Sequence, residues 1–186
     1  MKRTQPKSNG FSLVEVLVTL IILVVGLIGV FTLHSVAKRS NFEAYQYTQA
    51  TYVANDLINR IRLNPIQAEN YSGTYTGALT QPNVVCESTS AMVNCSRPQM
   101  RRWDLYTWER QMLGAGVTKG KTDVGGLTSP TVCVRALATG DVTVVVTWQG
   151  MSESNDAAAS SADSLVSGCG AAGKMRRHIV LSTVVI

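Results

Sequence analysis

From Phe11 to Leu33 the chain is almost unbroken apolar sequence, FSLVEVLVTLIILVVGLIGVFTL, and Val16–Leu33 is eighteen residues without a charge. A helix over Phe11–Leu33 rises about 35 Å at 1.5 Å per residue, enough to cross a hydrocarbon core of about 30 Å. The ten residues before it, Met1–Gly10, are polar and basic, and Pro6, Ser8, Asn9 and Gly10 disfavour helix. After Leu33 the pattern turns polar without becoming loop-like, since His34–Leu63 contains neither Gly nor Pro. Ala50, Ala54, Leu57, Ile58 and Ile61 fall on one face at helical spacing, with Asp56, Asn59, Arg60 and Arg62 mostly off it. Asn64-Pro65 is the expected stop, because the residue before proline disfavours the α region. The pattern predicts one helix from about Phe11 to Leu63. Two helices broken near Gly26–Gly29 or Lys38–Asn41 fit it as well.

Beyond the helix, Ile66–Gln99 is rich in Asn, Ser, Thr, Gly and Tyr and reads as loops and short irregular pieces. Met100–Leu113 predicts an amphipathic helix, ended by Gly114 and Gly116. Trp103, Tyr106 or Thr107, Arg110 and Leu113 share one side of it; Leu105, Trp108 and Met112 share another. Thr131–Ala138 and Asp141–Gln149 flank Thr139-Gly140 and predict a hairpin, and His178–Ile186 predicts a third strand. Val142, Val144, Val146 and Trp148 alternate with Thr143, Thr147 and Gln149, as on a sheet with one face on the long helix and one partly exposed. Gly150–Gly173 is small and polar and predicts a mobile surface loop.

Charge adds little. The formal net charge is +5, and Lys2, Arg3 and Lys7 in the first ten residues leave +2 for the rest. Those three hold the N-terminus in the cytoplasm under the positive-inside rule, with the remainder of the chain outside. Four cysteines, Cys86, Cys95, Cys133 and Cys169, all follow the apolar segment, with no C-x-x-C and only two histidines in the chain. That pattern argues against zinc and for two disulfides in an oxidising compartment, although four buried thiols fit the count too. Three connectivities are open, and the sequential one, Cys86–Cys95 with Cys133–Cys169, is favoured.

One residue does not suit a plain anchor. Glu15 sits near the start of the apolar run, where a carboxylate costs on the order of 2.5–3.5 kcal/mol at the centre of a membrane and less near its edge. No basic residue follows it within a helical turn, so its partner must be a positive group made by cleavage or supplied by another chain.

The string Gly10-Phe11-Ser12-Leu13-Val14-Glu15-Val16-Leu17-Val18 resembles the processing and methylation motif of type IV prepilins and type II secretion pseudopilins. The resemblance implies cleavage after Gly10 by a membrane-embedded prepilin peptidase and methylation of the new Phe11 amine. It also implies that Glu15 pairs with the Phe11 amine of the adjacent subunit in a filament. Two other readings compete: signal peptidase cleavage at Ser35-Val36-Ala37, and an unprocessed anchor with Glu15 snorkelling to the interface. Many major pilins carry a proline in the apolar half; this chain has only Gly26 and Gly29 there.

A long N-terminal helix on an antiparallel sheet, with a disulfide bracketing the last hairpin connection, resembles the α+β pilin fold. The implied division is a leader at 1–10, a membrane-spanning and assembly helix at 11–33, the extracytoplasmic part of the helix at 34–65 and a globular head at 66–186. Arg39-Ser40-Asn41, Ala50-Thr51-Tyr52, Asp56–Pro65, Trp103–Trp108 and Val146–Gly150 are similar to the minor pilin PilV family. That resemblance implies a role in initiating the type IV pilus or forming its tip, in support of surface piliation and of twitching motility or adhesion. Its implied partners are prepilin peptidase, other minor pilins, the major pilin, a PilY-type tip adhesin and inner-membrane lipid. A minor pseudopilin of a type II secretion system and a DNA-uptake receptor pilin are the alternatives.

No enzyme is signalled. His34 and His178 lie in no acid–nucleophile pattern, and the Gly-Xaa-Gly pieces at Gly114 and Gly168 lack the setting of a phosphate loop. No cofactor or metal is expected. Two basic clusters, Arg97/Arg101/Arg102/Trp103 and Lys174/Arg176/Arg177/His178, read as solvated charged faces rather than nucleic-acid sites.

Overall fold

A computed structural model describes residues 10–87 and 93–185; residues 1–9 of the expected leader, 1–10, lie outside the described residues. The chain forms two compact units, Met1–Asn41 and Phe42–Ile186. A single helix, α1 (Leu13–Leu63), contributes to both. Neither Gly26–Gly29 nor Lys38–Asn41 interrupts it.

In the first unit, α1 is apolar on every side from Val16 to Leu33, as expected of a helix meant for a lipid or protein surround. Its hydroxyls are satisfied locally: Thr19 donates to the Val16 carbonyl (2.9 Å), Thr32 to Gly29 (2.8 Å) and Ser35 to Phe31 (3.0 Å). Such internal bonds are what an apolar medium demands.

In the second unit, Gln46, Ala50, Val53, Ala54, Leu57, Ile58 and Ile61 form the buried stripe of α1. A 3-10 helix (Pro65–Tyr71) follows, then β1 (Gly73–Tyr75), α2 (Arg97–Met112) and a two-strand ribbon of β2 (Thr118–Lys119) and β3 (Thr122–Asp123). The chain ends with β4 (Thr131–Ala136), β5 (Asp141–Gln149), the single turn α3 (Ser164–Ser167) and β6 (Arg176–Val184). The main sheet has the order β1-β4-β5-β6, antiparallel throughout. This is the expected α+β pilin-like arrangement, with α1 and α2 on one face of the sheet.

One core joins Leu57 and Ile61 of α1, Trp108 and Met112 of α2, and Val132, Val134, Val144, Val146 and Trp148 of the sheet. Burying each large side chain contributes about 1.5–3 kcal/mol. Gln46 is buried among them at no polar cost, because its amide donates to the Gly126 carbonyl (3.2 Å) and accepts from the Thr128 N–H (2.9 Å). The β4–β5 turn needs Gly140: its φ is +91°, and a Cβ there would strike the Val185 carbonyl oxygen.

Several expectations change. Residues 66–99 are less irregular than their composition implied, since they include part of the 3-10 helix, edge strand β1 and the start of α2. Helix α2 begins at Arg97 rather than Met100, because Gln99 Oε1 accepts from the Ser96 N–H and hydroxyl, both at 2.8 Å, and Pro98 suits a first turn. Strand β4 stops at Ala136, where Leu137 and Gly140 form the turn, and β6 starts two residues early at Arg176.

The largest correction concerns residues 150–173. They were expected to be a mobile surface loop, and the far face of the sheet partly exposed. Instead Ala158, Val166 and Cys169 pack on Cys133 and Val145 as a second small core, with Leu165 against it. Buried Val145 and Thr147 therefore belong to a covered face. The apolar signal was three or four residues scattered in a polar stretch, too sparse to show a periodicity.

Candidate assembly and interaction sites

At the start of α1, the Ser12 carbonyl accepts the N–H groups of Glu15 (3.0 Å) and Val16 (3.3 Å), which sets the first helical turn just before the carboxylate. Phe11 is 83% exposed, and Gly10 is exposed with no atom within 4 Å of where a Cβ would lie. Glu15 is exposed and makes no ion pair among the described residues. The residues preceding Gly10, including the basic ones assigned to the leader, lie outside the described residues.

Two cysteine pairs lie at disulfide distance, Cys86 with Cys95 and Cys133 with Cys169, with Cα separations of 5.8 and 5.9 Å. The second pair ties the 150–173 segment to β4. Ion pairs reinforce it. Arg135 grips Asp163 through both terminal nitrogens (2.9 and 2.6 Å), and Asp163 caps α3 by accepting the Leu165 N–H. Those bonds, from Arg135 first, hold the Asp163 carboxyl at about 2. Asp156 is likewise held below the ordinary value, chiefly by the Gly173 N–H and also by Arg176.

Within the second basic cluster, the charges of the arginines and of Lys174 are paired. Arg176 is buried, with Asp156 on its Nε and the carbonyls of Ser167, Cys169 and Gly170 on Nη1. Arg177 pairs with Glu43 and Lys174 with Glu153. Of the face expected to be solvated at residues 174–178, Arg176 is structural, while Lys174 remains exposed beside Glu153.

A different network joins α1 to α2. Arg60 reaches Asp56 (2.9 Å), Asp104 (3.3 Å) and the Thr107 hydroxyl (3.0 Å), while the Tyr71 hydroxyl donates to Asp104 (2.9 Å). Burial pushes the Asp104 carboxyl up, and Tyr71 and Arg60 pull it part of the way back. Burial, then the Asp104 charge, raises the Tyr71 hydroxyl; burial takes Tyr75 up to about 12. Trp108 Nε1 donates to the Val53 carbonyl (2.8 Å), so the Trp103–Trp108 stretch is a docking element for α1.

Beside α2 lies an open groove of about 560 Å³, walled on the other side by the segment after β1. Leu79, Pro82, Val84, Arg101, Arg102 and Tyr106 line it. Glu109 builds that wall. It is only 3% exposed, and its carboxylate accepts the Gly77 (2.6 Å) and Leu79 (2.7 Å) N–H groups. Glu109 is not among the residues marked by the sequence pattern. The signal was present: a carboxylate between Leu105, Trp108 and Met112 on the apolar side of a helix requires fixed donors.

A sequence model of the prokaryotic N-terminal methylation motif matches residues 5–31, and one of the Tt1218-like family, described as type IV pilin Tt1218, matches residues 33–106. The chain belongs to the type IV pilin superfamily. Neither a curated protein nor a solved structure matches it. The pilins are a structural rather than a catalytic class, and among the described residues no cluster of His, Cys, Asp and Glu has the makings of a metal site. In this pilin the methylation motif covers the Gly10–Glu15 region, and the second match ends in α2, after Arg60 and Asp104. The apolar part of α1 is long enough to anchor the pilin in a membrane.

Proposed function

We propose that this pilin is a minor pilin of the PilV kind, cut by prepilin peptidase after Gly10, methylated on Phe11, and built into the initiating or tip complex of a type IV pilus. The observation that carries the reading is Glu15. It is a carboxylate in the first turn of α1, at the head of a stretch with no other charge up to Leu33, within the methylation motif and with no ion pair among the described residues. In an apolar surround an ion pair with the Phe11 amine of the next subunit supplies the missing charge and fixes the axial register. Before assembly the apolar half of α1 holds the pilin in the inner membrane with the head outside; afterwards it packs among other minor pilins and the major pilin. Residues 42–186 then present the surface that selects neighbours, including a PilY-type adhesin. The two cysteine pairs suit an oxidising compartment beyond that membrane.

The test is surface piliation and twitching in cells carrying Glu15→Ala or Gly10→Val. Both variants are expected to accumulate in the membrane with the head folded while piliation falls. Normal piliation and motility in both would overturn the assembly role. Loss of protein secretion with intact pili would assign the chain to a type II secretion system instead.

A further inference from the structure

We propose that the groove between α2 and residues 77–87 binds an extended acidic stretch of a partner protein. The sign of its charge comes first. Among the described residues that line it, Arg101 and Arg102 alone carry charge. The acids nearby are engaged elsewhere: Asp104 with Arg60 and Tyr71, Glu109 with two backbone N–H groups, and Glu87 facing Trp103 Nε1 at 3.4 Å. Arg101 Nη1 donates to the Asn70 carbonyl (2.8 Å), which leaves its buried Nε without an acceptor. Arg102 is exposed and has no ion pair among the described residues.

The remaining chemistry selects a peptide. Leu79 and Val84, 41% and 39% exposed, offer apolar contact beside the guanidinium groups, with Pro82 and Leu105 adjoining them. From Gln99 to Tyr106 the α2 wall runs about 10 Å at 1.5 Å per residue, the length of roughly three residues of extended chain. The opposite wall is fixed at its base by Glu109. Beyond that, no backbone–backbone hydrogen bond among the described residues engages residues 80–85, and residues 80, 81 and 83–85 are exposed beside the groove. A nucleic acid fits less well: the Trp103 ring leans on Tyr106 (5.8 Å between centroids) rather than standing free to stack on a base. The proposal does not depend on which appendage the pilin serves.

The experiment uses full-length pilin in nonionic detergent. A short labelled peptide of alternating Glu and Leu, its Gln-for-Glu counterpart and labelled duplex DNA are titrated by fluorescence anisotropy. The Glu peptide is expected to bind, the Gln peptide at least about tenfold more weakly, as befits lost charge-assisted hydrogen bonds. Arg102→Glu should weaken the Glu peptide by about tenfold or more. Lys119→Glu, the same charge change at an exposed site of β2 outside the groove lining, should leave it unchanged. No binding of the Glu peptide, equal losses in the two variants, or DNA that displaces the peptide and is itself lost on Arg102→Glu would each overturn the proposal.

Discussion

Arg176 Nε lies 3.0 Å from both carboxylate oxygens of Asp156, and the arginine side chain is 3% exposed. This pair anchors the 150–173 segment over the second face of the sheet. Arg176→Ala removes the partner of Asp156 and three carbonyl contacts together, and should lower unfolding free energy by at least about 2 kcal/mol. Urea unfolding followed by tryptophan fluorescence measures this. An unchanged midpoint would mean that the segment contributes nothing to the fold.

The cysteine pairs should differ in weight. Cys133–Cys169 closes 36 residues and Cys86–Cys95 closes 9. Chain entropy assigns about 4 kcal/mol to the first loop and about 2.5 kcal/mol to the second. Replacing both cysteines of a pair by serine should therefore cost more stability at Cys133/Cys169 than at Cys86/Cys95. The urea midpoints of the two double variants, compared under non-reducing conditions, give the order directly.

Acid should loosen the 150–173 segment before the main core. Asp163 and Asp156 both have folded-state values below the ordinary carboxylate range, Asp163 at about 2. Their contribution is complete above the unfolded value of about 3.9 and disappears as pH falls through the folded value. Methyl resonances of Leu165 and Val166 should hold their positions from neutral pH to about 4 and move towards unfolded positions near pH 2. Movement at pH 5–6 would point to a different titrating group.

Glu109→Gln should release the groove wall. The amide keeps one acceptor for the two N–H groups of Gly77 and Leu79 and leaves the other unpaired, at a cost of about 1–3 kcal/mol. Proteolysis within residues 77–87 should accelerate while α2 remains protected. Equal cleavage rates in the wild type and the variant would remove Glu109 from its anchoring role.

The parts of this fold that repeat regularly were legible in the sequence. The apolar run, the Ala50–Ile61 stripe and the β4–β5 alternation each carry a period of 3.6 or 2 over many residues, and Asn64-Pro65 marks the end of α1. What escaped notice depends on isolated residues meeting across the chain. Edge strand β1 is three residues long and is defined by β4, pairing Thr74 with Cys133. Ala158 and Val166 become core only because β5 presents Val145 to them. The groove needs Glu109 to hold Leu79 from thirty residues away. At the N-terminus the situation is reversed: Gly10, Phe11 and Glu15 are adjacent in sequence, and their chemistry is set by order along the chain more than by folding.

The mature N-terminus tests the central claim most directly. Membranes from cells with and without prepilin peptidase would be compared by intact mass and N-terminal peptide mapping. A processed pilin begins at methylated Phe11 when the peptidase is present and keeps its leader when it is absent. A chain beginning at Met1 in both strains, or at Lys38, would contradict it.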